Sequence, residues 1–245
     1  MIITSRHNLV VKLYASLKDK KGRISAGGYL VEGEKQVFEA VNSSKNILSV
    51  MGKSPLTSYY EGKVPVVYEV TDEICRFVAD SVTPQGIFAL VAFPVFKPQI
   101  GGNVVLLDGV SDPGNVGTIV RTCAALGVKA VYVLSGVDPY SPKCVRSTMS
   151  GLNSVDVFPV EEANLKDVFL NRHIIVADMV GENVFEKKVD KDFCLVIGNE
   201  AHGVSERIKS LADEVVSIPM KPTMESLNAG VSCSIILYEF LHNNI

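Results

Sequence analysis

From residue 103 onward, continuous apolar runs of strand length alternate with segments of helical period. No other feature of this 245-residue chain restricts its fold as tightly. The apolar runs are NVVLLDGV, AVYVLS, VDVFPV, HIIVADM, CLVIGNE and EVVSIPM. Between them lie NVGTIVRTCAALG, SPKCVRSTMSG, EEANLKDVFLNR and SERIKSLA. A strand without polar alternation is buried on both faces, and such strands separated by helices build a parallel α/β sheet. Ser141 followed by Pro142 reads as a helix start, and Gly127 and Gly151 read as stops.

The first hundred residues have a different pattern and predict a small α+β domain. NLVVKLYASL (8–17) has helical spacing, with Val10, Leu13, Tyr14 and Leu17 on one face. YLVEG, NILSVMG, VPVVYEV and GIFALVAF read as strands, EKQVFEAV and DEICRFVAD as helices, the latter capped by Thr71. Two prolines and two glycines in FPVFKPQIGG (93–102) mark the connection. The expected division is residues 1–97, a linker at 98–102, and residues 103–245.

Composition excludes several classes. With 47% hydrophobic and 21% charged residues the chain is neither disordered nor fibrous. No apolar run approaches the roughly 20 residues that span a bilayer, and the N-terminus does not read as a signal peptide. Cysteines 75, 123, 144, 194 and 233 each lie in an apolar stretch and form no CxxC pair. They read as reduced core thiols of a cytoplasmic protein, not as a zinc site. Residues 1–102 carry 12 Lys and Arg against 9 Asp and Glu, a net +3. Residues 103–245 carry 12 against 18, a net −6. Arg6, Lys12, Lys18, Lys20, Lys21 and Arg23 face only Asp19 near the N-terminus. That suits either a module handling a polyanion or a solvated helix face.

Open α/β sheets bind ligands at the C-terminal ends of their strands, so three loop segments matter. SDPGNVGTIVRT (111–122) has neither GxGxxG spacing nor the Lys-Ser/Thr pair of a P-loop, so the phosphate loop of a dinucleotide oxidoreductase or NTPase is missing. In its helix Val116, Ile119, Val120 and Cys123 form the apolar face, while Asn115, Thr118, Arg121 and Thr122 fall away from it. LVIGNEAHGVS (195–205) ends a buried strand in Gly198, Asn199 and Glu200. His202 has no second histidine at ligand spacing and reads as a loop residue. VSIPMKPTMESLNAGVSCSIILYEFL (216–241) leads from a strand into a long helix beginning near Ser226. Ser226 and Asn228 sit at its start, and Ile235, Ile236, Leu237, Tyr238, Phe240 and Leu241 make it apolar nearly all round. Cys233 has no base nearby in sequence and reads as a core thiol.

Together the segments resemble the SpoU/TrmH RNA methyltransferases. The resemblance rests on N-x-G-x-x-x-R in Asn115-Gly117-Arg121, G-N-E-x-x-G in Gly198-Asn199-Glu200-Gly203, and I-P-M…E-S-L-N from Ile218 to Asn228. It covers residues 103–245. YLVEGEKQVFEA (29–40) and SVTPQGIFALV (81–91) are similar to the substrate-binding domain of the ribosomal-RNA branch, which has a ribosomal-protein-like RNA-binding fold. The resemblance implies a knotted α/β catalytic domain, with a trefoil knot where an unknotted sheet is otherwise the rule. It further implies homodimerisation through that domain and S-adenosylmethionine as cofactor, with no metal. The implied reaction is methyl transfer to a ribose 2′-hydroxyl of RNA, ribosomal RNA foremost. The implied catalytic set is Arg121, Asn115, Glu200, Ser226 and Asn228, with the main role on Arg121. The implied cofactor set is Gly198, Asn199, Ile218, Pro219 and Leu227. A non-catalytic RNA-binding or ribosome-assembly protein of the same fold and a tRNA ribose methyltransferase are the alternatives.

Overall fold

Two separate sheets hold the strands in the computed structural model, which describes residues 2–189 and 192–244. The chain up to Phe93 forms one compact unit together with Tyr140–Asn153. Pro94–Pro139 and the chain from Ser154 on form the other.

The first unit contains α1 (Leu9–Ser16), α2 (Lys20–Ala26), β1 (Gly28–Glu32), α3 (Glu34–Val41), β2 (Ile47–Gly52), β3 (Val67–Glu69), α4 (Asp72–Val78) and β4 (Ile87–Ala92). Its sheet has the order β1-β4-β2-β3, with β4 antiparallel to β1 and β2, and β3 parallel to β2. The α1 face is rotated from the expected one. Val11, Tyr14 and Leu17 are fully buried while Leu13 is 38% exposed, because the stripe centres on Tyr14, whose hydroxyl bonds Ser49 Oγ at 2.8 Å. Thr71 stands at the N-cap of α4 but makes no side-chain cap bond. The basic stretch holds a helix, α2, and one of its cations is structural. Arg23 is buried and donates from Nη1 to the carbonyls of Leu17 and Lys18, each at 2.8 Å. Lys12, Lys20 and Lys21 remain exposed.

The second unit is built on β5 (Val104–Asp108), α5 (Pro113–Ala125), β6 (Ala130–Leu134), β7 (Asp156–Val160), α7 (Leu165–Val168), β8 (His173–Asn183), β9 (Phe193–Gly198), α8 (Glu206–Lys209), β10 (Glu214–Ser217) and α9 (Ala229–Leu241). The helix α6 (Pro142–Ser147) belongs to the first unit. Six strands in the order β10-β8-β9-β5-β6-β7 are parallel throughout, as their unbroken apolar runs predict. At the β8–β10 edge, Val215 pairs with Val176 but Val216 pairs with Glu182. Residues 177–181 therefore leave the ladder as an excursion.

Three expectations for this half change. The segment 161–172 holds a single α-turn, α7, preceded by a 3₁₀ turn, not a long helix. The last helix begins at Ala229, not near Ser226, because Asn228 Oδ1 accepts from the N–H groups of Gly230 and Val231 at 2.9 and 3.2 Å and so caps it. Residues 99–102, read as linker, are stitched to the second unit by the buried Arg172. It donates to the carbonyls of Gln99, Gly101 and Gly102 at 2.7, 3.1 and 2.9 Å.

All five cysteines are buried, and none is in a disulfide. Burial pushes the thiols of Cys123, Cys194 and Cys233 well above their ordinary range, as befits packing residues rather than nucleophiles. Among the described residues no helix is long and apolar enough to cross a membrane.

Candidate active site

The strands β5 and β9 are neighbours and end together at Asp108 and Gly198. Asn199, the first residue past β9, ties the two ends into one surface. Its backbone exchanges hydrogen bonds with Gly203 at 3.0 and 2.9 Å, and its Oδ1 accepts from the N–H groups of Ala201 and His202. Its Nδ2 donates to the Gly109 carbonyl at 2.9 Å. A Cβ at position 198 would sit 2.2 Å from the backbone of Gly203 and Val204. Glycine there is required by the turn folding back on itself, a tighter constraint than ligand approach.

The carboxylate of Glu200 reaches back to the loop that starts α5. Oε2 accepts from Ser111 N and Ser111 Oγ at 3.2 and 3.0 Å, and Oε1 accepts from Asp112 N at 3.2 Å and Asn115 Nδ2 at 2.7 Å. Partial burial pushes this carboxyl up. The donors outweigh it and bring it down to about 2, so Glu200 is an anion at any neutral pH. Asn115 passes the ordering on, for its Oδ1 accepts from Asn228 Nδ2 at 2.8 Å while Asn228 Oδ1 caps α9. The relay Glu200–Asn115–Asn228 thereby joins three chain segments and fixes which way both amides point. Asn115 itself is buried, where the sequence alone put it on a polar face. That face is the seam against α9. Thr122 Oγ1 bonds Ser234 Oγ at 2.8 Å, and a Cβ on Gly230 would touch Thr118 at 3.1 Å.

Beside the relay lies a cavity of about 670 Å³, within the roughly 300–1,000 Å³ that encloses a small-molecule ligand. Of the expected residues, Gly198, Asn199, Glu200, Ile218, Ser226, Leu227 and Asn228 line it. Asn115 stands one hydrogen bond behind. Pro219 is not among the lining residues, although its neighbours Ile218 and Met220 are. Arg121 is not at the cavity either. It lies six residues beyond Asn115, about 240° around α5, exposed and without a hydrogen bond or ion pair to any described residue. Sequence reasoning missed Ala177, Asp178 and Met179 from the β8 excursion, and Lys209 from α8, which complete the wall. HIIVADM read as an ordinary strand end, and only the over-long β8 could have drawn attention to it.

Residues 102–238, more than half of the chain, match the SpoU rRNA Methylase family. This chain belongs to that family. Residues 8–89 match the MRM3-like substrate binding domain. Among similar SpoU relatives, the 23S rRNA (guanosine(2553)-2'-O)-methyltransferase RlmP of Bacillus subtilis is 29% identical, with 96% of this chain and 97% of that protein covered. The 23S rRNA (uridine(2479)-2'-O)-methyltransferase of Streptomyces viridochromogenes is 28% identical, covering 99% and 92%. The crystal structure of the SpoU methyltransferase AviRb from Streptomyces viridochromogenes, in complex with the cofactor AdoMet, superposes with a TM-score of 0.87 at 25% identity. It covers 97% of this chain and 98% of that one.

The cavity of this SpoU protein fits such a cofactor on its own terms. Ile197, Val216, Ile218, Leu227 and Ile236 give an apolar wall suited to a flat adenine, while Glu200, Asn228 and Ser226 give a polar one.

Proposed function

We propose that this protein transfers the methyl group of S-adenosylmethionine to a ribose 2′-hydroxyl of ribosomal RNA. The observation that carries the reading is the coincidence of a cavity of ligand size with the Glu200–Asn115–Asn228 relay at its edge. The 2′-O-methyltransferase names of relatives aligned over nearly the whole chain support it. When bound, the cofactor supplies a sulfonium-activated methyl. Gly198, Asn199, Ile218 and Leu227 would hold it, with Pro219 shaping the backbone between β10 and Met220.

The five catalytic candidates divide into two groups. Asn115, Glu200 and Asn228 are consumed by one another, and Glu200, held far down on the acid side, is a poor base. We assign them the positioning of the cavity rim and of the α9 N-terminus. Ser226 and Arg121 make no hydrogen bond to described residues and are free to meet RNA. A guanidinium stays protonated at physiological pH. We assign Arg121 to the phosphate and to the negative charge that develops on the 2′-oxygen as its proton passes to solvent water and the oxygen takes the methyl.

Because Arg121 does not line the cavity of its own chain, the reading includes a homodimer in which Arg121 serves the partner's cavity. Val231 and Tyr238, exposed apolar residues on α9, which packs against α5, support this. It also includes the family's trefoil knot. RNA binding falls to the first unit, the expected residues 1–97 now joined by the α6 segment, and the chemistry to the rest of 103–245, in the cytoplasm of a cell whose ribosomal RNA is the substrate. The test is to map 2′-O-methyl sites in ribosomal RNA from a deletion strain and from the same strain with the gene restored. One site should vanish and return; an unchanged map would overturn the reading.

A further inference from the structure

Five ionisable side chains line the cavity: Asp178, Glu200, His202, Lys209 and Glu225. Glu200 is committed to the Ser111–Asn115 loop, and Glu225 and His202 are exposed at the rim. Lys209 is the one lysine or arginine among the described lining residues, and its Nζ lies 2.7 Å from Asp178 Oδ2. The two side chains are only 31% and 19% exposed. Asp178 comes from the 177–181 excursion of β8 and Lys209 from α8, two elements that share no ladder. Oδ1 of Asp178 also accepts from Val180 N at 3.3 Å, which fixes the carboxylate. Burial pushes the Asp178 carboxyl up, but Lys209 and the backbone donors outweigh it and hold it below its ordinary value. Lys209 is raised by its bond to Asp178. Both are charged at neutral pH.

We propose that the Asp178–Lys209 pair recognises the amino-acid end of S-adenosylmethionine, Lys209 facing the α-carboxylate and Asp178 the α-ammonium. The inference rests on the cofactor reading above. A ligand whose ammonium and carboxylate sit on one carbon presents opposite charges a few ångströms apart, and this pair presents the complementary arrangement on the cavity wall. The remaining lining charge is acidic, so a ligand carboxylate is repelled at Glu200 and Glu225 and attracted at Lys209 alone. Partial shelter from water makes such contacts stronger than those of an exposed pair. Neither residue belongs to the three segments that the sequence singles out, so Asp178 and Lys209 are specificity residues that the motifs do not contain.

The test is calorimetric binding to the full-length chain of two probes, S-adenosylhomocysteine and 5′-methylthioadenosine. The second keeps the adenosine and thioether but lacks the amino acid. Lys209→Met and Asp178→Asn should each weaken S-adenosylhomocysteine by at least about tenfold, the effect of removing one charge-assisted hydrogen bond, and leave 5′-methylthioadenosine within about twofold. Lys209→Arg, which keeps the cation, should retain most of the S-adenosylhomocysteine affinity. Equal weakening of both probes would make the pair a mere strut of the wall and overturn the proposal. So would unchanged affinity for S-adenosylhomocysteine. If the unaltered chain binds neither probe, the cofactor reading itself falls with it.

Discussion

Glu200 receives four hydrogen bonds from its own chain, and the consequence for stability has a definite sign. Its folded carboxyl lies at about 2, against about 4.3 for an unfolded glutamate. A depressed carboxyl contributes stability above the unfolded value and loses it as pH falls through the folded one. Glu200→Gln should therefore melt below the unaltered protein at pH 6, and the gap should close between about pH 4 and 2, as a series of thermal melts would reveal. A gap that persists unchanged at pH 2 would mean that the carboxylate's charge is not what the loop needs. Arg121 belongs to the same scale with the opposite character, since it bonds no described residue of its own chain. Arg121→Ala should abolish methyl transfer in single turnover while calorimetry finds cofactor affinity within about twofold. A parallel loss of affinity would move Arg121 into the cofactor pocket. Seven of the residues that line the cavity could be named from the sequence because they sit in short motifs, whereas Pro219 and Arg121 of the same motifs do not line it and Asp178 and Lys209 lie outside them. The division of the catalytic candidates into a locked relay and two free groups was not legible. The relay joins residues 85 and 113 positions apart, and no local pattern records who donates to whom.

For α9 the apolar character was legible, but not which side faces outward. Ile236, Leu237 and Leu241 are buried in their own chain, Phe240 packs edge-on to Phe193 at 5.6 Å, and Tyr238 is 60% and Val231 45% exposed. In the proposed homodimer, Tyr238→Glu should give a folded monomer that has lost methyl transfer. Leu237→Glu should fail to fold, because an unpaired charge in the core costs several kcal/mol. Sedimentation together with circular dichroism distinguishes the two. A dimeric, active Tyr238→Glu protein would remove this face from the interface. Helix starts were hard to place from sequence for a related reason. Asp112 and Asn228 cap through side-chain bonds that fix the starts of α5 and α9, and sequence alone left Ser226 an equal candidate. Apart from the unusual length of β8, nothing local announced its excursion, since the register break depends on which residues of β10 pair with which of β8.

Across the whole molecule, the alternation of apolar runs and helices sufficed for the parallel sheet, and the charge asymmetry sufficed to direct attention to the N-terminal residues. The structure removes Arg23 from that basic group and leaves Lys12, Lys20 and Lys21 open to solvent. Replacing these three lysines by alanine should weaken RNA binding and make the slope of log affinity against log salt shallower by about 2, since each lysine that neutralises a phosphate of single-stranded RNA adds about 0.7 to it. Filter binding across a salt series measures it, and an unchanged slope would locate the RNA elsewhere.

The first unit is also not contiguous in sequence. Tyr140 packs against Tyr29 and Phe93 at 4.7 and 4.8 Å, Arg146 pairs with Asp80, and Cys144, Val145 and Thr148 are buried there. Cutting the peptide backbone once, anywhere from 94 to 98, therefore does not separate the halves. A piece ending at residue 97 is missing its own helix α6, and the remaining piece carries that helix with its apolar side bare. Produced alone, each should be poorly soluble; produced in one cell, they should find each other and co-purify. The same geometry makes a protease cut in this stretch nearly silent, visible on a denaturing gel but not in a sizing column.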